Sequence, residues 1–251
     1  MSDSDSDSDI GYLEPFQGET ITIRDGGDWV LDKYLSGIAY PMRKKEAAEF
    51  GPCFGVAKFA CHLKGDESKK GFFRMYRQIP IGATERKSPE ERSRQAVEAP
   101  KKHTEPEALL ALQTCDAVPK LLAYEMGEQS ADDMVPRGYF IHFVWAKELG
   151  EPLNWDLFWT FDKGKRTEIR QKFRDAYQSM ISFGWEPSNA GLEKLIYDEE
   201  TKTLKISGFT SAAHVERVEP WEDDMYAAWD LVDLESARKR GWREHPEEWT
   251  W

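Results

Sequence analysis

The chain has 251 residues, of which 40% are hydrophobic and 13% aromatic, so it is long enough to bury a sizeable core in one domain or in two lobes. Its formal net charge of -12, from 34 basic and 46 acidic residues, argues against a nucleic-acid partner held through phosphates. No run approaches the roughly 20 apolar residues that span a bilayer, and the acidic start is unlike a secretory signal. We therefore expect an intracellular protein, cytoplasmic or nuclear, without a membrane partner.

The chain begins with a Ser-Asp repeat that has no apolar side chain to bury. We therefore expect residues 1–15 to form a disordered acidic tail. Two roles stay open for this tail, a phosphorylated segment or a solubilising terminus.

The first half after the tail has the pattern of short strands separated by turns. Apolar residues flank the turn residues 25–28 and 64–67, which predicts one hairpin from strands 20–24 and 29–31 and a second from strands 56–62 and 71–77. The stretch 81–103 interleaves basic and acidic residues, and we interpret it as a surface excursion with a short helix over 89–99.

A helix is predicted to start at Thr104. Thr104 and Glu107 match a capping box, Pro106 suits the first turn, and leucines at 109, 110 and 112 supply an apolar face. Two further strands are predicted over 118–124 and 139–145, on either side of a polar loop.

The character of the sequence changes after Gly150. A short aromatic segment at 155–161 precedes apolar residues at helical spacing from Arg166 to Phe183, which predicts a helix that stops at Gly184. A hairpin is predicted over 195–207 and a final helix over 225–240. Strands with one helix, followed mostly by helices, predict an α+β fold in two lobes.

The most informative stretch runs from Gly184 to Asp198 and is followed by Lys205-Ile206-Ser207-Gly208-Phe209. In order and spacing it combines with five other landmarks: Phe72–Pro80, Glu107–Leu110, Val118-Pro119, Val135–Tyr139 and Ile169–Phe173. Over most of 51–213 the chain thereby resembles the kinase-like, aminoglycoside and choline phosphotransferase-related proteins abundant in filamentous fungi. The resemblance implies a two-lobe protein kinase-like fold, with a strand-rich N-lobe over 16–145 and a hinge and reduced helical C-lobe over 146–251.

The resemblance also assigns roles to two N-lobe positions. Arg74 stands where the family has the strand lysine that grips the nucleotide phosphates, and a guanidinium keeps the charge without the point geometry of an ammonium. Glu107 stands where the family has the helix glutamate that pairs with that lysine. The capping box offers a purely structural reason for Glu107, and both explanations stay open.

The remaining catalytic positions have lost the residues that the family uses. The base position is Asn189, which cannot accept a proton near neutral pH. The magnesium-ligand positions are Lys194 and Gly208, and neither an ammonium nor a glycine can coordinate the cation. The phosphate loop at 51–55 also lacks the usual spacing of three glycines.

We interpret the chain as a catalytically inactive, pseudokinase-like binding or regulatory module, with no cofactor expected. A sharper hypothesis makes Arg74 and Lys194 an anion-binding pair for a metal-free nucleotide, such as ATP without metal, or a small anionic metabolite. In the simpler alternative both cations face solvent or pair with Glu107, Glu186 or Glu193. The partner would otherwise be an unidentified protein. A divergent ATP-dependent phosphotransferase is the alternative function.

Other residues in the chain have both a chemical and a structural explanation. Four acids could supply a relocated base or metal site: Glu186, Asp198, Asp223 and Asp224. The five histidines and three cysteines have no metal-ligand spacing, so no metal is expected and the cysteines are interpreted as reduced thiols. Three tryptophans, Trp242, Trp249 and Trp251, form either a docking strip or a packed end of the chain.

Overall fold

The computed structural model describes residues 12–101, 103–234, 243, 247 and 249–251. Contacts between residues divide the chain into two compact units. The first unit comprises the residues up to Lys102 together with Leu121–Lys147, and the second comprises His103–Lys120 with Glu148–Trp251. The Ser-Asp repeat and Trp242 lie outside the described residues.

The first unit is built on an antiparallel six-stranded sheet. Its strands are β1 (Thr20–Ile23), β2 (Gly27–Tyr40), β3 (Phe54–Leu63), β4 (Asp66–Gln78), β5 (Leu121–Glu128) and β6 (Tyr139–Ala146). They lie in the order β1-β2-β3-β4-β6-β5. Both predicted hairpins are present as β1–β2 and β3–β4, and strands β2, β3 and β4 are longer than the turn signals indicated.

One face of this sheet carries the core of the first unit. Phe59, Phe73 and Val144 are fully buried directly opposite one another on β3, β4 and β6, and Trp29 is buried in the same cluster. Leu13, inside the segment predicted to be disordered up to residue 15, is also buried in this cluster. Leu13 is buried because its apolar side chain packs in the core cluster on the sheet, whereas the Ser-Asp repeat before it has no apolar side chain.

Two short helices flank the sheet, α1 (Lys44–Phe50) and α2 (Pro89–Ser93). The prediction missed α1, which buries no residue and therefore leaves no periodic signal. The helix predicted over 89–99 ends at Ser93, because the chain leaves the helix through a turn at Arg94 and Gln95. The Gln95 side-chain oxygen accepts from the Ile81 amide at 2.8 Å, and its main-chain oxygen accepts from Gln78 at 2.6 Å.

The second unit begins with α3 (Thr104–Ala111), which packs on other segments of the same unit. The predicted capping box does not form: His103 is the N-cap residue, and no side chain caps the helix. Thr104 is already helical, so Glu107 is one position beyond the place that the box requires. The sequence interpretation had placed this helix in the strand-rich lobe, whereas its contacts place it in the second unit.

The long helix of the second unit is α5 (Lys163–Ile181), preceded by β7 (Glu151–Pro152) and the short α4 (Trp155–Thr160). It starts three residues before the predicted Arg166, because the Asp162 side chain caps it by accepting from the Lys165 amide at 2.9 Å. Its buried face includes Ile169, Phe173 and Met180, as the apolar spacing predicted.

Short strands follow α5: β8 (Trp185–Pro187), β9 (Leu195–Asp198), β10 (Thr203–Ile206) and β11 (Ala212–His214). Strands β9 and β10 form the predicted antiparallel hairpin. Strands β8 and β11 pair antiparallel, so the segment between them begins and ends at the same place. The candidate site residues in the second half of the sequence, Asn189, Lys194 and Gly208, lie in this segment.

The final predicted helix is much shorter than expected. It spans α6 (Asp224–Ala228), because Asp230 adopts a left-handed conformation with φ of 56°. The Leu231 amide then bonds Tyr226 O at 2.8 Å and the Asp230 amide bonds Ala227 O at 3.2 Å, which is a Schellman termination. The part of the prediction over 235–240 lies outside the described residues.

The molecule is a mixed α and β protein with an antiparallel, strand-rich part and few helices. Of the described tryptophans near the end of the chain, Trp249 is buried and its ring centre lies 5.7 Å from that of Trp251. Among the described helices, none is long and apolar enough to cross a bilayer.

Candidate functional site

Arg74 lies in the middle of β4, on the sheet face opposite the core. Its chain neighbours Phe73 and Met75 are fully buried in the core cluster, so strand alternation turns Arg74 the other way. The guanidinium carbon lies 5.7 Å from the centre of the Trp145 ring. Lys58, directly opposite Arg74 on β3, places its ammonium 5.3 Å from the same ring.

Aromatic side chains continue along this face. Tyr40 stacks on Phe54 with ring centres 4.6 Å apart, and Tyr76 stacks on Phe143 at 6.3 Å. Cation–π contacts therefore hold the two cations on an aromatic surface. Sequence reasoning missed Lys58, although its alternation with buried residues of β3 was a usable signal.

Glu107 lies on α3 in the second unit, and its side chain is exposed. Since Glu107 is not at the N3 position, the capping explanation for it is wrong. The neighbouring acid Glu105, which sequence reasoning did not single out, is only 3% exposed. Its burial beside Pro106 was not visible from the spacing of the leucines.

Lys194 and Gly208, the two magnesium-ligand positions of the resemblance, lie in direct contact. A Cβ atom placed on Gly208 would lie 2.5 Å from Cδ and 3.0 Å from Cε of Lys194. Gly208 also has φ of +91°, in the left-handed region that favours glycine. The lysine stem thus fills the space that any side chain at position 208 would need.

Backbone hydrogen bonds fix this contact. The Ser207 amide and hydroxyl both donate to Lys194 O, at 2.8 and 3.0 Å, and the Lys194 amide donates to Gly191 O at 3.1 Å. The Lys194 ammonium lies 3.4 Å from a carboxylate oxygen of its neighbour Glu193. The ammonium therefore pairs with Glu193, one of the three acids named as its partner in the simpler alternative.

Asn189 lies in the exposed loop after β8. Ser188, the residue before Asn189, fixes the start of this loop, because its amide donates to Ser211 O at 3.0 Å beside the β8–β11 pair. An exposed amide side chain here can donate and accept hydrogen bonds but has no proton-accepting charge at neutral pH.

The acids considered as relocated catalytic groups all have structural contacts. Asp198 accepts from the Glu200 amide at 3.0 Å and from the Thr201 hydroxyl, and these hydrogen bonds, with that of Thr201 the largest, lower the pKa of its carboxyl. Glu186 accepts from Tyr177 Oη at 2.6 Å. The other two also have partners: Trp221 Nε1 lies 2.8 Å from Asp223, and Arg243 Nε lies 3.5 Å from Asp224.

Metal-binding side chains do not cluster in the described part of the chain: no group of three or more His, Cys, Asp or Glu side chains there could hold a metal ion. His62 pairs with Asp32 at 2.8 Å, and His142 is buried against the Phe140 ring at 4.4 Å. Cys53, Cys61 and Cys115 are buried free thiols. Burial raises the pKa of the Cys61 thiol to about 12, so it stays protonated at neutral pH.

Comparison with known proteins identifies no family. No family model matches the chain, and neither does any curated protein. Among solved structures, 394 chains match. One is titled "Structure of the Cydia pomonella Granulovirus kinase, PK-1", at 11% identity and a TM-score of 0.45, covering 77% of this chain and 55% of that one. The functional argument therefore rests on the residues of this chain.

Proposed function

We propose that this chain is a catalytically inactive kinase-like protein, of the type related to fungal aminoglycoside phosphotransferases, that acts as a binding or regulatory module. The observation that carries the proposal is the contact between Lys194 and Gly208. Phosphoryl transfer of this kind needs magnesium held by oxygen ligands at these two positions. Here a cation and a glycine stand in their place, and each favours the other.

The packing makes this loss difficult to reverse one residue at a time. An aspartate at position 208 would meet the Lys194 stem and would also have to adopt φ of +91°. An acid at position 194 alone would still lack a second ligand at position 208. The two substitutions therefore support each other as a stable replacement for a metal site.

The other family positions agree with an inactive protein. Asn189 cannot act as a base, and Glu186 and Asp198 are engaged in hydrogen bonds. Arg74 and Lys194 keep positive charge without any ligand for magnesium. If the protein binds a nucleotide or another anion, the binding should therefore not need a divalent ion.

The test is thermal unfolding of the purified protein with ATP, ADP, GTP and small phosphorylated metabolites, each with and without magnesium or manganese. Ligands that bind the folded state raise the melting temperature. We expect no shift that depends on a divalent ion and no transfer of phosphate. A magnesium-dependent shift together with phosphate transfer would establish the alternative, a divergent phosphotransferase.

The same experiment separates an anion-binding module from a protein-binding one. A metal-free shift with ATP that is lost in Lys194→Glu, but kept in Lys172→Glu, would assign the anion to Lys194. A loss in Arg74→Ala would assign it to Arg74. Lys172 is a matched control because it is a lysine of the long helix α5, outside the segments that carry Arg74 and Lys194. Absence of any shift leaves a protein partner as the ligand.

A further inference from the structure

A second candidate site lies in the second unit, against the first turns of α5. It is a cavity of about 310 Å³ whose lining shares no residue with the Lys194–Gly208 contact, and it is lined by Lys163, Thr167, Arg170, Gln171, Tyr226 and Trp251. The four α5 residues are spaced so that they share one face of the helix. The lining side chains include two cations and no carboxylate.

Arg170 is the unusual member of this lining. It is only 4% exposed, and its Nε donates to Leu231 O at 2.7 Å. Its Nη2 is buried and makes no hydrogen bond to any described residue. Within the described part of the chain no carboxylate forms an ion pair with Arg170. Its guanidinium carbon lies 5.6 Å from the Phe158 ring centre and 5.4 Å from that of Trp251, and these contacts stabilise the charge without neutralising it. A buried guanidinium with no anionic partner therefore suits a bound anion.

Neighbouring charges increase this demand for an anion. Burial, and then the nearby Arg166, lower the pKa of Arg170 to about 10, so it remains charged at neutral pH. Arg166 itself donates to the main-chain oxygen of Trp251 at 3.1 Å. The N-cap acid Asp162 accepts from the Lys165 amide, and the first turn of α5 after it contains no acid. This positive wall occurs in a chain whose net charge is -12.

The rest of the lining suits an organic group attached to the anion. The rings of Tyr226 and Trp251 pack edge to face with centres 5.8 Å apart and offer an aromatic wall. The Tyr226 hydroxyl supplies a hydrogen-bond donor, and the Gln171 amide keeps one N–H for a ligand while its nitrogen lies 2.9 Å from Asp175 Oδ1. The Thr167 hydroxyl donates to Lys163 O at 2.8 Å, so towards a ligand it can only accept. The cavity volume lies at the small end of the range of ligand pockets, roughly 300–1,000 Å³.

We propose that this cavity binds a small organic phosphate monoester, with the phosphate at Lys163 and Arg170 and the organic body against Trp251. A phosphate monoester is favoured over a carboxylate because it carries close to two negative charges at neutral pH, to match two lining cations. The proposal does not depend on the inactive-kinase proposal, since the two sites share no residue.

The test is isothermal titration calorimetry of the full chain with phenyl phosphate as the probe. Inorganic phosphate and benzyl alcohol are the reference ligands, since each carries only half of the proposed features. The key variant is Lys163→Glu, because Lys163 is exposed and can change without disturbing a core. Its control is Lys172→Glu, nine residues further along α5 and so on the opposite face of the helix. We expect Lys163→Glu to weaken phenyl phosphate binding by about tenfold or more and Lys172→Glu by less than about twofold.

A second exposed variant protects the test against a folding defect. Gln171→Glu adds a negative charge to the lining and should weaken phenyl phosphate as well, while both variants keep the melting temperature of the unliganded protein. No heat with millimolar phenyl phosphate would overturn the proposal, as would equal weakening by Lys172→Glu. Equal affinity for inorganic phosphate would overturn the role given to Trp251.

Discussion

Lys194 and Gly208 lie 14 residues apart in sequence, yet Lys194 limits which residue position 208 can hold. The Lys194 stem crosses the place where a Cβ atom at Gly208 would stand. The left-handed backbone at Gly208 adds a second, independent reason for glycine. Replacing Gly208 should therefore carry a steric cost and a backbone cost. A glycine with positive φ but no close neighbour carries only the backbone cost, so experiment can separate the two.

We predict that Gly208→Ala destabilises the protein by about 2 kcal/mol or more, because it adds a steric contact to the backbone strain. The matched control is Gly65→Ala, since Gly65 has φ of +86° but no atom within 4 Å of its Cβ position. That control should cost only about 1 kcal/mol. Urea unfolding measures both changes.

The same pair allows a double-mutant cycle. In the Lys194→Ala background the steric part disappears, so Gly208→Ala should there cost no more than Gly65→Ala does. Equal costs of Gly208→Ala with and without Lys194 would show that the contact contributes nothing.

The ends of α5 and α6 are set by residues at the helix termini rather than by the apolar pattern. Asp162 starts α5 three residues earlier than the apolar spacing indicated, and Asp230 ends α6 in a left-handed turn after Ala228. The helix at Thr104 lacks the side-chain cap that its sequence suggested. The choice of cap depends on the path of the preceding loop, which local sequence does not fix.

We predict that Asp162→Ala lowers the free energy of unfolding by about 1 kcal/mol, because it removes the acceptor for the Lys165 amide at the start of a 19-residue helix. Asp162→Ser should restore most of the loss, since a serine hydroxyl can accept the same hydrogen bond. Asp156→Ala, an exposed first-turn acid of α4, serves as the control for lost charge alone. A loss in Asp162→Ser as large as in Asp162→Ala would contradict a capping role.

For the whole molecule, one buried histidine should dominate the response of stability to mild acid. His142 is 6% exposed, its Nε2 has no hydrogen-bond partner among the described residues, and burial, together with Arg77, lowers its pKa to about 3. In the unfolded chain the same histidine titrates near its usual pKa of about 6.5. The unfolded state therefore binds a proton between these two values and the folded state does not.

It follows that stability is fully present above about pH 6.5 and is lost as the pH falls toward 3. Between pH 7.5 and 4.5 we predict a loss of about 2 kcal/mol that His142→Gln abolishes and that the exposed-pair variant His62→Gln leaves in place. Protonation of carboxyls with a lowered pKa, such as Asp198, also destabilises the protein in acid, but only below about pH 4. The effect of His142 can therefore be measured at higher pH, apart from that of the carboxyls. Urea unfolding at a series of pH values tests the window, and a flat profile in the wild-type protein would contradict it.

The sequence by itself determined the elements whose signals are local. The hairpins around 25–28, 64–67 and 198–201 follow from turn residues between apolar runs, and most of α5 follows from its 3.6-residue period. It also determined that Asn189, Lys194 and Gly208 carry no carboxylate whatever their surroundings, which is the sequence basis of the proposed inactivity.

Only the tertiary structure decided which of these residues meet. The contact of Lys194 with Gly208, the burial of Arg170 without an acid, and the grouping of α3 with the second unit all join residues distant in sequence. Apolar periodicity reports which face of an element is buried but not which segment covers it, since burial is non-directional. Long-range contacts and loop paths therefore set the candidate sites, while local patterns set the elements that carry them.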